Sequence, residues 1–233
     1  MKEDPFGILI VDKQKGMTSH DVVDLVRKKF GIKKVGHAGT LDPNATGVLV
    51  LLLGKATKLS GRFSSDDKEY IATMKLGEKT TSGDCDGKLI LTGEVRSSRQ
   101  EIKDTMAGFL GETEQLPPMV SAKRINGKRL YKLARKGIEV ERKPRKIVIK
   151  KMDVMEIDLP FVRFRVVCSK GTYIRQLAED IGGKLGCGAH LTELSRVRSG
   201  SFSLENAVSI SALLKKDRKT LDENIIRIQK PES

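Results

Sequence analysis

The chain has no tryptophan, and among its 233 residues there are only three cysteines and three histidines. The cysteines include no C-x-x-C pair, so neither a disulfide framework nor a zinc site has the ligands that it needs. His20, His37 and His190 lie far apart in the sequence, which argues against a metal cluster built on them. We therefore expect three reduced thiols, no disulfide and no bound metal.

Long apolar runs are also missing. The longest, Val48 to Leu53, is too short to span a bilayer. The N-terminus begins with charged residues where a signal peptide would carry an apolar core. These features predict a soluble protein of the cytoplasm. A chain of this length can bury a sizeable core, and because no linker or repeat divides it, we expect a single domain over residues 1–233.

Positive charge is abundant, with 44 Lys and Arg against 30 Asp and Glu and a formal net charge of +14. This excess suits a polyanionic partner, because cations that neutralise phosphates release counterions. It is densest in residues 121–146, here called the basic segment, where eleven cations face two acidic residues. Such a stretch is usually a solvated face. Here Tyr131 and Asn126 lie among the cations, which suits contact with an RNA backbone and exposed bases.

Hydrophobic periodicity predicts helices and strands in irregular alternation. Several predicted strands follow each other too closely for a helical crossover, which favours an α+β fold with a mixed, largely antiparallel sheet flanked by helices. The predicted helices are Ser19–Phe30, Lys55–Phe63, Arg99–Phe109, Arg129–Lys136, Thr172–Leu185 and one that begins at Ser209. The predicted strands are Gly7–Val11, Val48–Leu53, Glu69–Leu76, Ile147–Ile157, Phe161–Cys168 and Leu191–Val197.

One stretch places a carboxylate in a tight turn just before a buried strand. This stretch, the Asp42 block, reads Gly36-His37-Ala38-Gly39-Thr40-Leu41-Asp42-Pro43-Asn44-Ala45-Thr46-Gly47. Its glycines and proline predict a tight bend, and side chains at the mouth of a strand commonly face a cleft. Asp42 is therefore a candidate nucleophile. The alternative is that Asp42 caps its turn and that His37 is an ordinary surface histidine.

The Asp42 block closely resembles the G-H-x-G-x-L-D-P motif of the TruB family, the tRNA pseudouridine-55 synthases. Other segments resemble the family's motifs in the same order and cover nearly all of the chain. They are Leu9–Gly16, Lys68-Glu69-Tyr70 and the residues through Asp84, Pro118–Gly137, Cys168-Ser169-Lys170-Gly171-Thr172-Tyr173-Ile174-Arg175, and Gly186–Leu191 with Leu194 and Arg196 after it. The resemblance implies the pseudouridine synthase fold, with the basic segment as an RNA-binding insertion.

The resemblance also implies an activity, the isomerisation of uridine 55 in the T-loop of tRNA to pseudouridine. The glycosidic C–N bond breaks, the flipped base rotates in place, and a C–C bond forms. Asp42 would be the nucleophile, and whether it attacks the sugar or the base stays open. The reaction needs no cofactor and no metal. The implied partner is the T-stem-loop of tRNA, and we expect a monomer that needs no protein partner.

Further roles follow from the same resemblance. Arg175 would pair with Asp42 and keep the carboxylate charged and oriented. The alternative is a helix arginine that reaches solvent. Tyr70 and Tyr173 would pack against the uracil after it leaves the stack.

The remaining candidates would bind RNA. His37 would fill the space that the flipped base leaves, or contact the RNA. Leu194 would line the pocket and read the uracil edge through its backbone, since a leucine side chain has no hydrogen-bonding group. Lys13 would contact phosphate, and Lys128 and Arg129 would do so from the basic segment.

Two other functions stay open at this point. Asp42, Asp84 and Asp86 could instead serve a metal-dependent RNA hydrolase, because an Asp-x-Asp pair offers two ligands for a hard cation. A non-catalytic RNA chaperone with the same fold is the second alternative.

The C-terminal end differs from the pattern of bacterial relatives, which usually carry a small RNA-binding domain of the PUA type. Here about 35 residues follow Arg198. Residues 209–233 are predicted to form one helix and a tail, so we expect no PUA domain.

Overall fold

The computed structural model describes residues 4–121, 124, 125, 127–130, 133 and 137–228, with the backbone alone at 124, 125, 128 and 129. The chain divides into two compact units. The first unit comprises residues 1–70 and 195–233, and the second comprises residues 71–194. The single domain over residues 1–233 stays a prediction.

The secondary structure confirms an α+β chain. The α-helices are α1 (Ser19–Phe30), α2 (Ser60–Ser64), α3 (Arg99–Ala107), α4 (Ile174–Lys184), α5 (Ile210–Lys215) and α6 (Arg218–Asp222), and Gly54–Leu59 and Leu204–Asn206 are 3₁₀ helices. The strands are β1 (Gly7–Lys13), β2 (Val35–His37), β3 (Thr46–Leu53), β4 (Lys68–Leu76), β5 (Glu78–Thr80), β6 (Leu89–Thr92), β7 (Gly111–Gln115), β8 (Arg124–Ile125), β9 (Lys128–Arg129), β10 (Arg145–Asp158), β11 (Phe161–Cys168), β12 (Ala189–Ser199), β13 (Phe202–Ser203), β14 (Val208–Ser209) and β15 (Ile226–Arg227).

The sheet of the first unit has the order β14-β1-β3-β12. Strands β1 and β3 pair antiparallel along their whole length, from Gly7 opposite Leu53 to Lys13 opposite Gly47. Strand β3 pairs with β12 in parallel, as does β1 with β14. The predicted mixed sheet is therefore confirmed. This register brings the end of β1 next to the start of β3, where the Asp42 block ends.

The core of the first unit forms around β3, whose last seven residues are all buried. A cluster of apolar side chains from β1, β3 and the segments beside them packs together. Each large apolar side chain stabilises the fold by about 1.5–3 kcal/mol when it leaves water. The buried members of this cluster are Ile8, Ile10, Ala38, Val48, Val50, Leu52 and Ala56.

Helix α1 begins and ends where the sequence predicts. The hydroxyl of Thr18 accepts a hydrogen bond from the Asp21 amide at 3.1 Å, and the Asp21 carboxylate accepts one from the Thr18 amide at 2.8 Å. This reciprocal pair satisfies two donors that would otherwise lack partners. Gly31 ends the helix in the left-handed conformation with φ 60°.

The sheet of the second unit has the order β12-β4-β11-β10-β7. Strand β4 shows the predicted alternation, with every second residue buried from Lys68 to Leu76. Strands β10 and β11 pair antiparallel, as do β10 and β7. Helix α4 starts two residues later than predicted.

Three predicted helices differ from the structure. The one predicted over Lys55–Phe63 is the 3₁₀ helix Gly54–Leu59 followed by α2. The one predicted to begin at Ser209 is two helices, because the Asp217 carboxylate accepts a hydrogen bond from the Thr220 amide at 2.8 Å and starts α6. Arg129, predicted to be helical, lies in β9, which pairs with β8. Most of the predicted helix 129–136 lies outside the described residues. In the part of the chain that the structure describes, no helix has the length and apolar character needed to cross a membrane.

Candidate active site

Asp42 lies half-buried in the loop between β2 and β3, and both of its neighbours are held by other segments. The hydroxyl of Ser19, the first residue of α1, donates to the Leu41 carbonyl at 3.1 Å and accepts from the Leu41 amide at 2.8 Å. On the other side, the Pro43 carbonyl accepts from the Gly16 amide at 2.9 Å. The backbone that carries Asp42 is therefore fixed on both sides.

Lys13 also binds this backbone, and its predicted contact with phosphate stays a prediction. Its side chain is fully buried. Its ammonium donates to the carbonyls of Met17 at 2.8 Å, Gln14 at 3.0 Å and Pro43 at 3.2 Å. An ammonium has three donors, and here all three have carbonyl partners. Burial lowers the pKa of Lys13 to about 8, and the negative charge of Asp42 opposes that shift.

Arg196 is a second buried cation against the Asp42 block, and only 1% of it is exposed. Its Nε donates to the Val48 carbonyl at 2.8 Å and its Nη2 to the Gly39 carbonyl at 3.1 Å. Gly47 of the block leaves no room for a side chain, because a Cβ at this position would lie 2.2 Å from the carbonyl oxygen of Arg196. Arg196 follows the last family motif, but no role for it was expected from the sequence. Together Lys13 and Arg196 place positive charge around the block.

Arg175 lies in the first turn of α4, in the second unit, and 3% of it is exposed. Its Nη1 donates to the Ser82 carbonyl at 2.7 Å, and its Nη2 donates to the Val120 carbonyl at 2.8 Å. Its Nε lies 3.6 Å from Oδ2 of Asp84. The alternative in which Arg175 reaches solvent is therefore wrong. The ion pair of Arg175 with Asp42 stays a prediction.

Asp84 holds the turn that faces Arg175. Its carboxylate accepts a hydrogen bond from the Asp86 amide at 3.1 Å, and its carbonyl accepts one from the Thr80 hydroxyl at 2.7 Å. The hydrolase alternative treated Asp84 as a metal ligand, whereas the structure shows it next to a guanidinium. Within the described residues, no group of three or more His, Cys, Asp or Glu side chains could hold a metal ion.

Tyr173 immediately precedes α4, and a residue that the sequence analysis missed fixes its backbone. The Gln115 side chain, 2% exposed at the end of β7, donates to the Tyr173 carbonyl at 3.0 Å and accepts from its amide at 2.8 Å. The guanidinium of Arg145 lies over the Tyr173 ring, 5.2 Å from its centre. No sequence motif marks Gln115, because its partner is 58 residues away.

The other candidates lie on strands. Tyr70 is 8% exposed in β4, His37 is half-buried at the end of β2, and Leu194 is half-buried in β12. Lys128 and Arg129 form β9, but their side chains lie outside the described residues, as do several other cations of the basic segment. The first unit thus brings Lys13 next to the Asp42 loop and carries His37, and the second unit carries Arg175 and Tyr173.

Comparison with known proteins identifies the family. The N-terminal domain of the TruB family pseudouridylate synthases matches residues 27–174, and the tRNA pseudouridylate synthase B C-terminal domain matches residues 175–229. The chain is 49% identical over 222 residues to tRNA pseudouridine synthase B of Protochlamydia amoebophila, covering 95% of this chain and 84% of the relative. It is 50% identical over 207 residues to that of Alkaliphilus oremlandii, covering 89% of this chain and 69% of the relative.

Solved structures agree with this family. A chain of a Cbf5-Nop10-Gar1 complex is 35% identical with a TM-score of 0.70, and the match covers 88% of this chain and 53% of that one. A chain of an H/ACA RNP bound to a substrate RNA is 33% identical with a TM-score of 0.66, over 88% of this chain and 51% of that one. This chain thus spans about half the length of these solved relatives. Its sequence matches and its fold together show that the chain belongs to the TruB family of pseudouridylate synthases, isomerases that convert uridine to pseudouridine.

Proposed function

We propose that the chain is a tRNA pseudouridine synthase of the cytoplasm that isomerises uridine 55 in the T-loop, with Asp42 as nucleophile. The names of its relatives, tRNA pseudouridine synthase B, support tRNA as the substrate. The excess of positive charge supports a polyanion of this kind. Position 55 follows from the resemblance of the Asp42 block to the family motif.

The observation that carries the role of Asp42 is the way its neighbours are held. Ser19 binds both backbone groups of Leu41, and Lys13 binds the carbonyl of Pro43. A nucleophile held in this way loses little further freedom when it attacks, which lowers the barrier for a bound substrate. The loop therefore supports a catalytic carboxylate better than one that only caps a turn.

The reaction requires the target uridine to leave its stack, which costs a few kcal/mol. Tyr70 and Tyr173 would recover about 1–3 kcal/mol for each stacked contact with the base. Asp42 then attacks the ribose or the base, the C–N bond breaks, and the base rotates. When the C–C bond forms, the bond to Asp42 breaks and the carboxylate is regenerated, while C5 of the uracil loses its proton and N1 gains one. Arg175 would orient Asp42, and the backbone of Leu194 would bind the uracil edge.

The test is to incubate the purified chain with an unmodified tRNA transcript in a chelating buffer and to map pseudouridine. In the full tRNA we expect product at position 55 alone. We expect product in an isolated T-stem-loop as well. No partner protein is added, because the chain would act as a monomer. A transcript with cytidine at position 55 is the matched control. Lack of product, or product at other positions only, would contradict the proposal. Cleavage of the RNA that depends on added metal would favour the hydrolase.

A further inference from the structure

Arg145 occupies an unusual position at the start of β10. It pairs in register with Gln115 of β7, the residue that fixes the Tyr173 backbone. Its guanidinium lies over the Tyr173 ring, with 5.2 Å between Cζ and the ring centre. A Cβ at Gly171 would lie 3.0 Å from its Nη1. The guanidinium therefore lies over the tyrosine ring and close to Gly171.

Arg145 is half-buried, and its hydrogen bonds distinguish it from three buried cations. Lys13, Arg175 and Arg196 each donate to at least two carbonyls. The Nε of Arg145 is buried and has no hydrogen-bond partner among the described residues. An unsatisfied buried donor lowers the stability of a fold. The native protein alone thus gives little reason for a guanidinium at this position.

We propose that Arg145 is a substrate-binding residue whose guanidinium donates hydrogen bonds to a phosphate beside the target uridine. The inference rests on the proposed function, since it takes RNA as the substrate. The contact with the Tyr173 ring restrains the guanidinium, whose N–H donors form a planar fork. Such a fork matches two oxygens of one phosphate. A nucleotide whose base contacts Tyr173 carries its own phosphates close to this edge.

The first measurement is the salt dependence of tRNA binding, in an Asp42→Asn background so that substrate is not consumed. Arg145→Gln is expected to lower the slope of log Kd against log salt by about 0.7–0.9, the value for one phosphate contact. It is expected to weaken binding on the order of tenfold. The matched control is Arg163→Gln on β11, which removes the same charge from an exposed position. The control should leave slope and affinity close to those of the background protein.

The second measurement identifies the phosphate. Synthetic T-stem-loops with one neutral methylphosphonate at each position near the target are titrated with the background protein and with Arg145→Gln. We expect one linkage whose neutralisation weakens the background protein but does not weaken Arg145→Gln further. If Arg145→Gln does not fold, Arg145→Lys replaces it, because lysine keeps the charge but lacks the planar fork and should weaken binding at that same linkage.

Two results would overturn the inference. One is an unchanged salt slope in Arg145→Gln, whatever its thermal stability, because the arginine would then only pack on Tyr173. The other is that no linkage depends on Arg145. Both leave the proposed function intact if the unsubstituted chain forms pseudouridine at position 55. A chain that forms none would instead contradict the proposed function itself.

Discussion

At the scale of the single residue, the role of Asp42 can be separated from RNA binding. Asp42→Asn keeps the size of the side chain but removes the nucleophile, so we expect no isomerisation. Binding should be nearly unchanged, because affinity comes from phosphate contacts elsewhere. Pseudouridine formation and tRNA affinity are measured in parallel.

The matched control is Asp86→Asn, whose exposed side chain is expected to be dispensable. This control also bears on the hydrolase alternative, in which Asp86 would bind metal. Turnover of Asp42→Asn above about a tenth of that of the unsubstituted chain would rule out Asp42 as the nucleophile.

Lys13 predicts a change of stability with pH. The unfolded chain keeps the proton of this side chain up to about pH 10.5, whereas the native protein keeps it only up to about pH 8. Between these values the unfolded state binds more protons, so Lys13 makes the free energy of unfolding rise with pH. Lys13→Met should lack this rise. It should also be less stable by about 2–4 kcal/mol, because three buried carbonyls lose their donor.

Urea denaturation at pH 7.5, 9 and 10 measures both effects. Lys55→Met, at an exposed lysine, is the control and should follow the unsubstituted chain. If the free energy of unfolding of Lys13→Met changes from pH 8 to 10 in parallel with that of the unsubstituted chain, Lys13 does not titrate in this range.

At the scale of the element, the start of α4 depends on Gln115. This side chain binds both backbone groups of Tyr173, two residues before Arg175. Gln115→Leu leaves an amide and a carbonyl without partners, so we expect a loss of about 2 kcal/mol in the free energy of unfolding. It should also lower kcat more than affinity, because Tyr173 and Arg175 lose their fixed position.

The comparison variant is Gln100→Leu, at an exposed position of α3 where the amide contacts a neighbour four residues along. This change should have little effect on stability or turnover. Equal effects of the two substitutions would mean that the contact of Gln115 with Tyr173 does not position the site.

The elements differ in how far the sequence could predict them. Helix α1 carries its own start and stop signals in Thr18, Asp21 and Gly31, and β4 shows its buried face by alternation, so both were predictable from local pattern. Strand β7 was not, because its five residues are polar and largely exposed, and β10, which pairs with it, lies 30 or more residues further on. The second C-terminal helix also has a local start signal, the cap formed by Asp217.

The site divides in the same way. The family motifs predicted Asp42 and Arg175 as candidates, since both lie in local sequence signatures. The contact of Lys13 with the Pro43 carbonyl was not predictable, because the two residues lie 30 positions apart and nothing near Lys13 in the sequence indicates that it is buried. The roles of Gln115 and Asp84 were likewise not predictable, because both act through contacts with residues that are distant in the sequence.

At the scale of the whole molecule, the positive charge makes a prediction about affinity. Replacing Lys128, Arg129, Lys132 and Arg135 by alanine should weaken tRNA binding and flatten its dependence on salt. Each lost phosphate contact removes about 0.7–0.9 from the log–log slope. Titrations of tRNA at several salt concentrations measure the change.

The control removes four exposed lysines outside the basic segment, Lys28, Lys33, Lys55 and Lys58, and so lowers the net charge equally. If both quadruple variants change the slope to the same extent, affinity depends on net charge alone. The basic segment would then be only a solvated face.

The hydrogen bonds between Ser19 and Leu41 link the motion of the catalytic loop to that of a helix. Ser19 is the first residue of α1, and its hydroxyl holds the Leu41 amide at 2.8 Å. Opening of the first turn of α1 therefore removes this hydrogen bond and exposes the Leu41 amide to hydrogen exchange. The loop that carries Asp42 is then no more stable than the N-terminal end of one helix. Heating should release this loop, and so end turnover, before the rest of the first unit unfolds.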